Sequence, residues 1–113
     1  MQYRTLGDHG PQVSALGFGC WPMGGSRYGS TDDGEEITAV QRALDAGVTL
    51  FDTAAGYGIG HSESVLGRAL KDKWNDVVVV TKTGIVWEDE RGVFVRDSRP
   101  ASIRVQCEES LRV

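Results

Sequence analysis

Hydrophobic positions in this 113-residue chain switch between short continuous apolar runs and the three-and-four spacing of a helix face. Ile37, Val40, Ala43 and Leu44 fall on one helical stripe, and Val65, Leu66, Ala69 and Leu70 fall on another. Around these stripes lie three runs of strand length: Ala15 to Cys20, Val48 to Asp52, and Val77 to Val80. The last is four consecutive valines, a composition that suits a parallel strand buried on both faces. Strand and helix alternate, so the pattern predicts a parallel sheet in the order 1-2-3 with right-handed crossovers. Ahead of these units, Tyr3 to Thr5 and Gln12 to Ser14 flank the turn formers Asp8, Gly10 and Pro11 and predict a small hairpin. Behind them, Ile85 to Phe94 reads as a loop turning at Asp89 to Gly92. A final helix starts near Pro100, with Ile103, Cys107, Ser110 and Leu111 inward.

End signals sharpen the picture. Asp32 and Asp33 each have a glutamate three residues on, the spacing of a capping box, and Gly47 follows the first helical stripe as a C′ residue. The 15 glycines exceed average usage and cluster where apolar runs end. A 40% hydrophobic and 25% charged composition describes a globular domain with a core. The net charge of −4, with acids and bases interleaved, offers no basic stripe and so excludes a nucleic-acid surface. No run approaches the roughly 18 apolar residues of a membrane span and the start has no signal-peptide core, which makes the cytoplasm the expected location. Cys20 and Cys107 lack ligand or redox spacing and read as reduced thiols. Val113 carries no terminator, so the chain is expected to be truncated within its α/β fold.

The stretch FDTAAGYGIGHSE, Phe51 to Glu63, concentrates reactive side chains and glycines directly after an apolar run. A dinucleotide fingerprint fails here: counting from Gly56 the third glycine position is His61, and counting from Gly58 it is Glu63. A metal reading of Asp52, His61 and Glu63 matches no ligand spacing, and His61 reads as a loop or helix-cap histidine. A catalytic reading joins Asp52 at the end of one strand to Lys82 at the end of the next, since neighbouring parallel strands lie about 4.8 Å apart and α/β sheets place chemistry at that end. Tyr57, five residues past Asp52, could fold its phenol over the lysine, whose ammonium would favour the phenolate. On these residues alone, a tyrosine beside an ordinary ion pair remains the alternative.

The same segments resemble the aldo-keto reductases. GVTLFDTAAGYGIGHSESVLGRAL is similar to their signature of an aspartate, a Tyr-Gly pair and a Ser-Glu-x-x-x-Gly helix start. VVVVTKTG resembles their catalytic-lysine strand, ALGFGCWPMGG their first barrel strand, and PASIRVQCEESLRV their third helix; the stretch from Thr81 to Ile103 is similar to bacterial general-stress-protein-type members. The resemblance implies a (β/α)8 TIM barrel, of which this chain would hold the N-terminal part: about three of eight units plus a leading hairpin, residues 1–113 being a partial NADP-dependent oxidoreductase domain. It implies NADP(H) as cofactor, a small-molecule carbonyl as substrate and a monomeric parent. By family role Tyr57 donates the proton, Lys82 lowers the phenol's pKa and Asp52 holds Lys82. Gly19, Cys20, Trp21 and Asp52 would meet the nicotinamide end of the cofactor, and Trp21, Tyr57 and Trp87 the substrate. The family's catalytic histidine would follow beyond Val113, so the 113 residues alone are expected to be inactive. The alternative is a non-catalytic fragment that assembles with or regulates another chain.

Overall fold

Helix α1, Asp33–Asp45, starts where Asp32 in extended backbone accepts the Glu35 amide at 3.0 Å through Oδ1. It ends at Gly47, whose φ of 86° suits glycine and whose amide returns to the Leu44 carbonyl at 2.8 Å. The computed structural model describes residues 1–25, 29 and 31–113. Before α1 stand β1, Tyr3–Thr5, β2, Gln12–Ser14, and β3, Phe18–Gly19; after it come β4, Leu50–Asp52, and α2, His61–Ala69. The chain continues through β5, Val78–Val80, β6, Ile85–Glu88, β7, Val93–Arg96, and α3, Pro100–Ser110.

Strands β3, β4 and β5 form one parallel sheet in that order, with Gly19 opposite Asp52 and Asp52 opposite Val80. The expected 1-2-3 sheet is therefore present, and its C-terminal ends are in register. Phe51 in the central strand is fully buried and packs with Val40 of α1, Val65, Leu66 and Ala69 of α2, Leu70, Cys20 and Met23. Both predicted helical stripes thus face one core. Antiparallel β1 and β2 form the expected hairpin, tied to the sheet by a reciprocal pair of bonds: the Ser14 amide donates to Thr49 Oγ1 at 2.8 Å and the Thr49 amide to Ser14 Oγ at 2.9 Å.

Three expectations are corrected. Residues 85–96 form an antiparallel hairpin, β6 and β7, where a loop was expected; Trp87 stands opposite Phe94, and their rings meet edge to face at 5.0 Å, a cross-strand pair that favours pairing. The valine run is not buried on both faces: Val80 is 39% exposed, and among the described residues β5 is an edge strand paired with β4 alone. In α3 the buried residue is Gln106, while Cys107 and Leu111 are exposed. The reason is polar. Gln106 accepts the Gly84 amide at 2.8 Å and donates to the Asp97 carbonyl at 3.2 Å, so the helix docks on backbone groups of the preceding segment.

Candidate active site

Asp52, Tyr57 and Lys82 converge at the C-terminal end of the parallel sheet. The central-strand position of Asp52 is fixed from both sides, since its carbonyl accepts the Cys20 amide at 2.8 Å and the next amide, Thr53, donates to the Val80 carbonyl at 2.8 Å. The Lys82 ammonium then finds three acceptors: Asp52 Oδ1 at 2.6 Å, the Thr53 carbonyl at 2.9 Å and the Tyr57 hydroxyl at 3.1 Å. Three donors meet three acceptors, so the ammonium is satisfied. Partial burial disfavours its charge, but the hydrogen bonds to Asp52 and Tyr57 outweigh that and hold Lys82 above the usual lysine range. The phenol oxygen accepts a hydrogen bond from the ammonium, which leaves the phenol's own O–H directed elsewhere. An arrangement of this kind can hand a proton to an oxygen placed beside Tyr57.

Tyr57 is carried on a tight loop. Its amide returns to the Ala54 carbonyl at 2.9 Å, and its carbonyl accepts the Ser62 amide at 3.1 Å. The loop also lies directly against the turn at residues 21–24. A Cβ at Gly24 would fall 2.8 Å from both the Gly58 amide nitrogen and the Tyr57 carbonyl carbon, backbone atoms that cannot rotate away. Gly24→Ala is expected to destabilise the chain by about 1–3 kcal/mol through this overlap. Urea unfolding checks it, and an unchanged midpoint would show that the two loops do not touch this closely.

The structure places the other sequence candidates as follows. Trp21 is 45% exposed and stacks on the Tyr57 ring with centroids 6.2 Å apart, so it stands beside the three residues. Gly19 is exposed at the end of β3, with open space where a side chain would project. Cys20, by contrast, turns its thiol into the core and is fully buried. Burial, followed by the nearby Asp52 carboxylate, pushes that thiol up to about 12. At about pH 8 only about one Cys20 in 10⁴ would be thiolate, so iodoacetamide is expected to modify exposed Cys107 and spare Cys20. Peptide mass mapping checks this; equal labelling would place Cys20 at the surface.

Trp87 is not brought to the three residues. It packs on Phe94 and lines a groove of about 400 Å³ with Ile59, Gly60, Ile85 and Gln106, whose lining contains none of Asp52, Tyr57 or Lys82. His61 is the first residue of α2 but does not cap it: the N-cap is Gly60 with no side-chain cap bond, and the His61 ring instead lies 3.0 Å from Asp33 Oδ1 through Nε2. Asp33, Glu36 and His61 gather within 4.8 Å of one another, and Arg68 already provides a cation at the second Asp33 oxygen. Sequence reasoning missed Thr53, Ser62 and Thr81 as partners of the site; Thr53 gives a carbonyl to Lys82, and the Ser-Glu pair of the helix start was the available signal.

Asp52 at the end of β4, Tyr57 in the loop that follows it and Lys82 just past β5 thus meet at one rim of a parallel sheet. The chain belongs to the aldo/keto reductase family, whose model matches residues 15–113. It is 38% identical over 114 residues to the aldo-keto reductase YhdN of Bacillus subtilis, covering 99% of this chain and 34% of that protein. Among solved structures it is similar to the glycerol dehydrogenase AKR11B4 of Gluconobacter oxydans, with 44% identity, a TM-score of 0.81, and coverage of 97% of this chain and 34% of the other. An aldo-keto reductase from Klebsiella pneumoniae in complex with NADPH matches with 31% identity and a TM-score of 0.71 over 99% of this chain and 35% of that one. The chain therefore spans about a third of the length of the relatives it matches. Its fold is the N-terminal part of their TIM barrel, and no closed barrel is formed by the described residues. Among the described residues no helix is long and apolar enough to cross a membrane.

Proposed function

We propose that residues 1–113 are part of an NADPH-dependent oxidoreductase domain that reduces an aldehyde or ketone to an alcohol. The observation that carries the reading is the Lys82 ammonium, which hydrogen-bonds both Asp52 and the Tyr57 hydroxyl at the sheet's C-terminal end. Tyr57 is the proton donor to the carbonyl oxygen. Lys82 holds the phenol oxygen and steadies the phenolate left behind, and Asp52 holds Lys82. Trp21, stacked on Tyr57, walls the substrate side.

The residues fit the nicotinamide end of such a cofactor. Exposed Gly19, with open space where a side chain would project, stands opposite Asp52, whose carboxylate is half-exposed, and Trp21 stacks on the Tyr57 ring. When bound, the reduced nicotinamide supplies the hydride. Cys20 takes part through its backbone, which joins β3 to Asp52, rather than through its buried thiol. Trp87 serves the hairpin in this reading and does not reach the carbonyl.

The test uses a completed barrel, this chain joined at Val113 to the remaining two-thirds of the Gluconobacter glycerol dehydrogenase. NADPH absorbance should fall when a reactive aromatic aldehyde is added. A folded chimera that binds NADPH and shows no turnover would sink the reading. Among the described residues the outer edge of β5 is unpaired, and this favours one second reading, in which the chain acts by pairing with another chain and performs no chemistry. Turnover in the completed barrel that depends on Tyr57 separates the two.

A further inference from the structure

The buried pair Ser62 and Glu63, in the first turn of α2, reaches the ends of all three parallel strands. Glu63 is 8% exposed, and its Oε1 accepts the Thr81 hydroxyl at 2.6 Å, the short distance of a charge-assisted bond. Ser62 is fully buried and its hydroxyl donates to the Cys20 carbonyl at 2.9 Å. Because the one Ser62 proton is spent there, the 3.0 Å contact between Thr53 Oγ1 and Ser62 Oγ has Thr53 as its donor. Cys20 follows β3, Thr53 follows β4 and Thr81 follows β5.

Two of these three ties bear on Lys82. Thr81 is its chain neighbour, and Thr53 offers it a carbonyl at 2.9 Å. The Lys82 side chain is 46% exposed and hangs on a four-carbon stem with several rotatable bonds, so its three hydrogen bonds persist only if its backbone is fixed relative to Asp52 and Tyr57. We propose that Ser62 and Glu63 are positioning residues, which hold Lys82 against Asp52 and Tyr57 by clamping Thr53 and Thr81 to the start of α2. The assignment rests on the role given to Lys82 above, and its test needs no turnover.

The chain is treated with trace acetic anhydride, and acetylation at Lys71, Lys73 and Lys82 is read by mass spectrometry. An ammonium engaged by three acceptors should react roughly tenfold more slowly than exposed Lys71. Thr81→Val, nearly isosteric but without the hydroxyl, and Ser62→Ala should each speed Lys82 by roughly three- to tenfold relative to Lys71. Thr81→Ser and Glu63→Gln, which keep donor and acceptor, should leave it slow. Amide exchange in α2 is followed alongside and should keep its protection in every variant. Three results overturn the proposal: fast Lys82 in the unaltered chain, slow Lys82 in Thr81→Val, or release of Lys82 only together with lost α2 protection, which marks a merely structural role. A completed barrel that does not turn over while Lys82 stays protected would instead refute the reductase reading alone.

Discussion

Tyr57→Phe is expected to lower carbonyl reduction by the completed barrel roughly 10²- to 10⁴-fold, the usual contribution of a general acid. The substitution removes one oxygen and little else. The ring keeps its volume and its stacking on Trp21, whose centroid lies 6.2 Å away, so the wall of the site stays in place. Lys82 loses one of three acceptors and keeps Asp52 at 2.6 Å and the Thr53 carbonyl at 2.9 Å. Nucleotide binding should therefore change by less than about threefold, while kcat and kcat/KM fall together, the mark of an interaction made in the transition state. Steady-state kinetics with NADPH and an aromatic aldehyde, beside a fluorescence titration of NADPH, measure both quantities. If the phenylalanine variant kept a third or more of kcat, another group would have to donate the proton.

That these three residues belong together was legible because each has a simple address. Asp52 and Lys82 sit at the ends of apolar runs, and the parallel sheet puts Asp52 beside Val80, two residues before the lysine. Tyr57 needs only a short loop to fold back, and glycines on both sides permit it. Parts of the fold whose packing is polar or borrowed from neighbours were not legible in this way. Four valines look the same whether a strand has one neighbour or two, so the exposure of Val80 could not be read from composition. Helix α3 carries its buried contact on Gln106, which binds the Gly84 amide and the Asp97 carbonyl; a helix anchored to backbone groups shows no apolar stripe to find. The hairpin of β6 and β7 was hidden by the charged tetrapeptide at its tip, and only the Trp87 and Phe94 pairing across the strands reveals it. Ser62, Thr53 and Thr81 are ordinary hydroxyl residues until the sheet sets them around one helix end.

By itself the 113-residue chain is expected to bind NADPH more weakly than about 1 mM, equivalent to a gain of less than about 4 kcal/mol, and to show no measurable turnover. A (β/α)8 barrel builds its site from eight βα loops at the C-terminal rim, and this chain contributes the loops of three parallel strands. Association must first offset roughly 4–15 kcal/mol of lost translational and rotational freedom. Against that cost stand the contacts a nicotinamide ring could make with Gly19, Trp21 and Asp52, whose surfaces are half open to water. Lys82, the cation at the centre of this site, is already shared among three oxygens and has no donor left for a phosphate. The substrate carbonyl would also lack a wall opposite Tyr57, and a reacting group misplaced by about 1 Å can cost 10²-fold. NADPH fluorescence titration and aldehyde-dependent absorbance loss, run on the chain and on the completed barrel, make the comparison. Micromolar binding, or turnover by the chain that disappears in its Tyr57→Phe variant, would show that three strands hold a working site and that the remaining rim serves something other than cofactor capture.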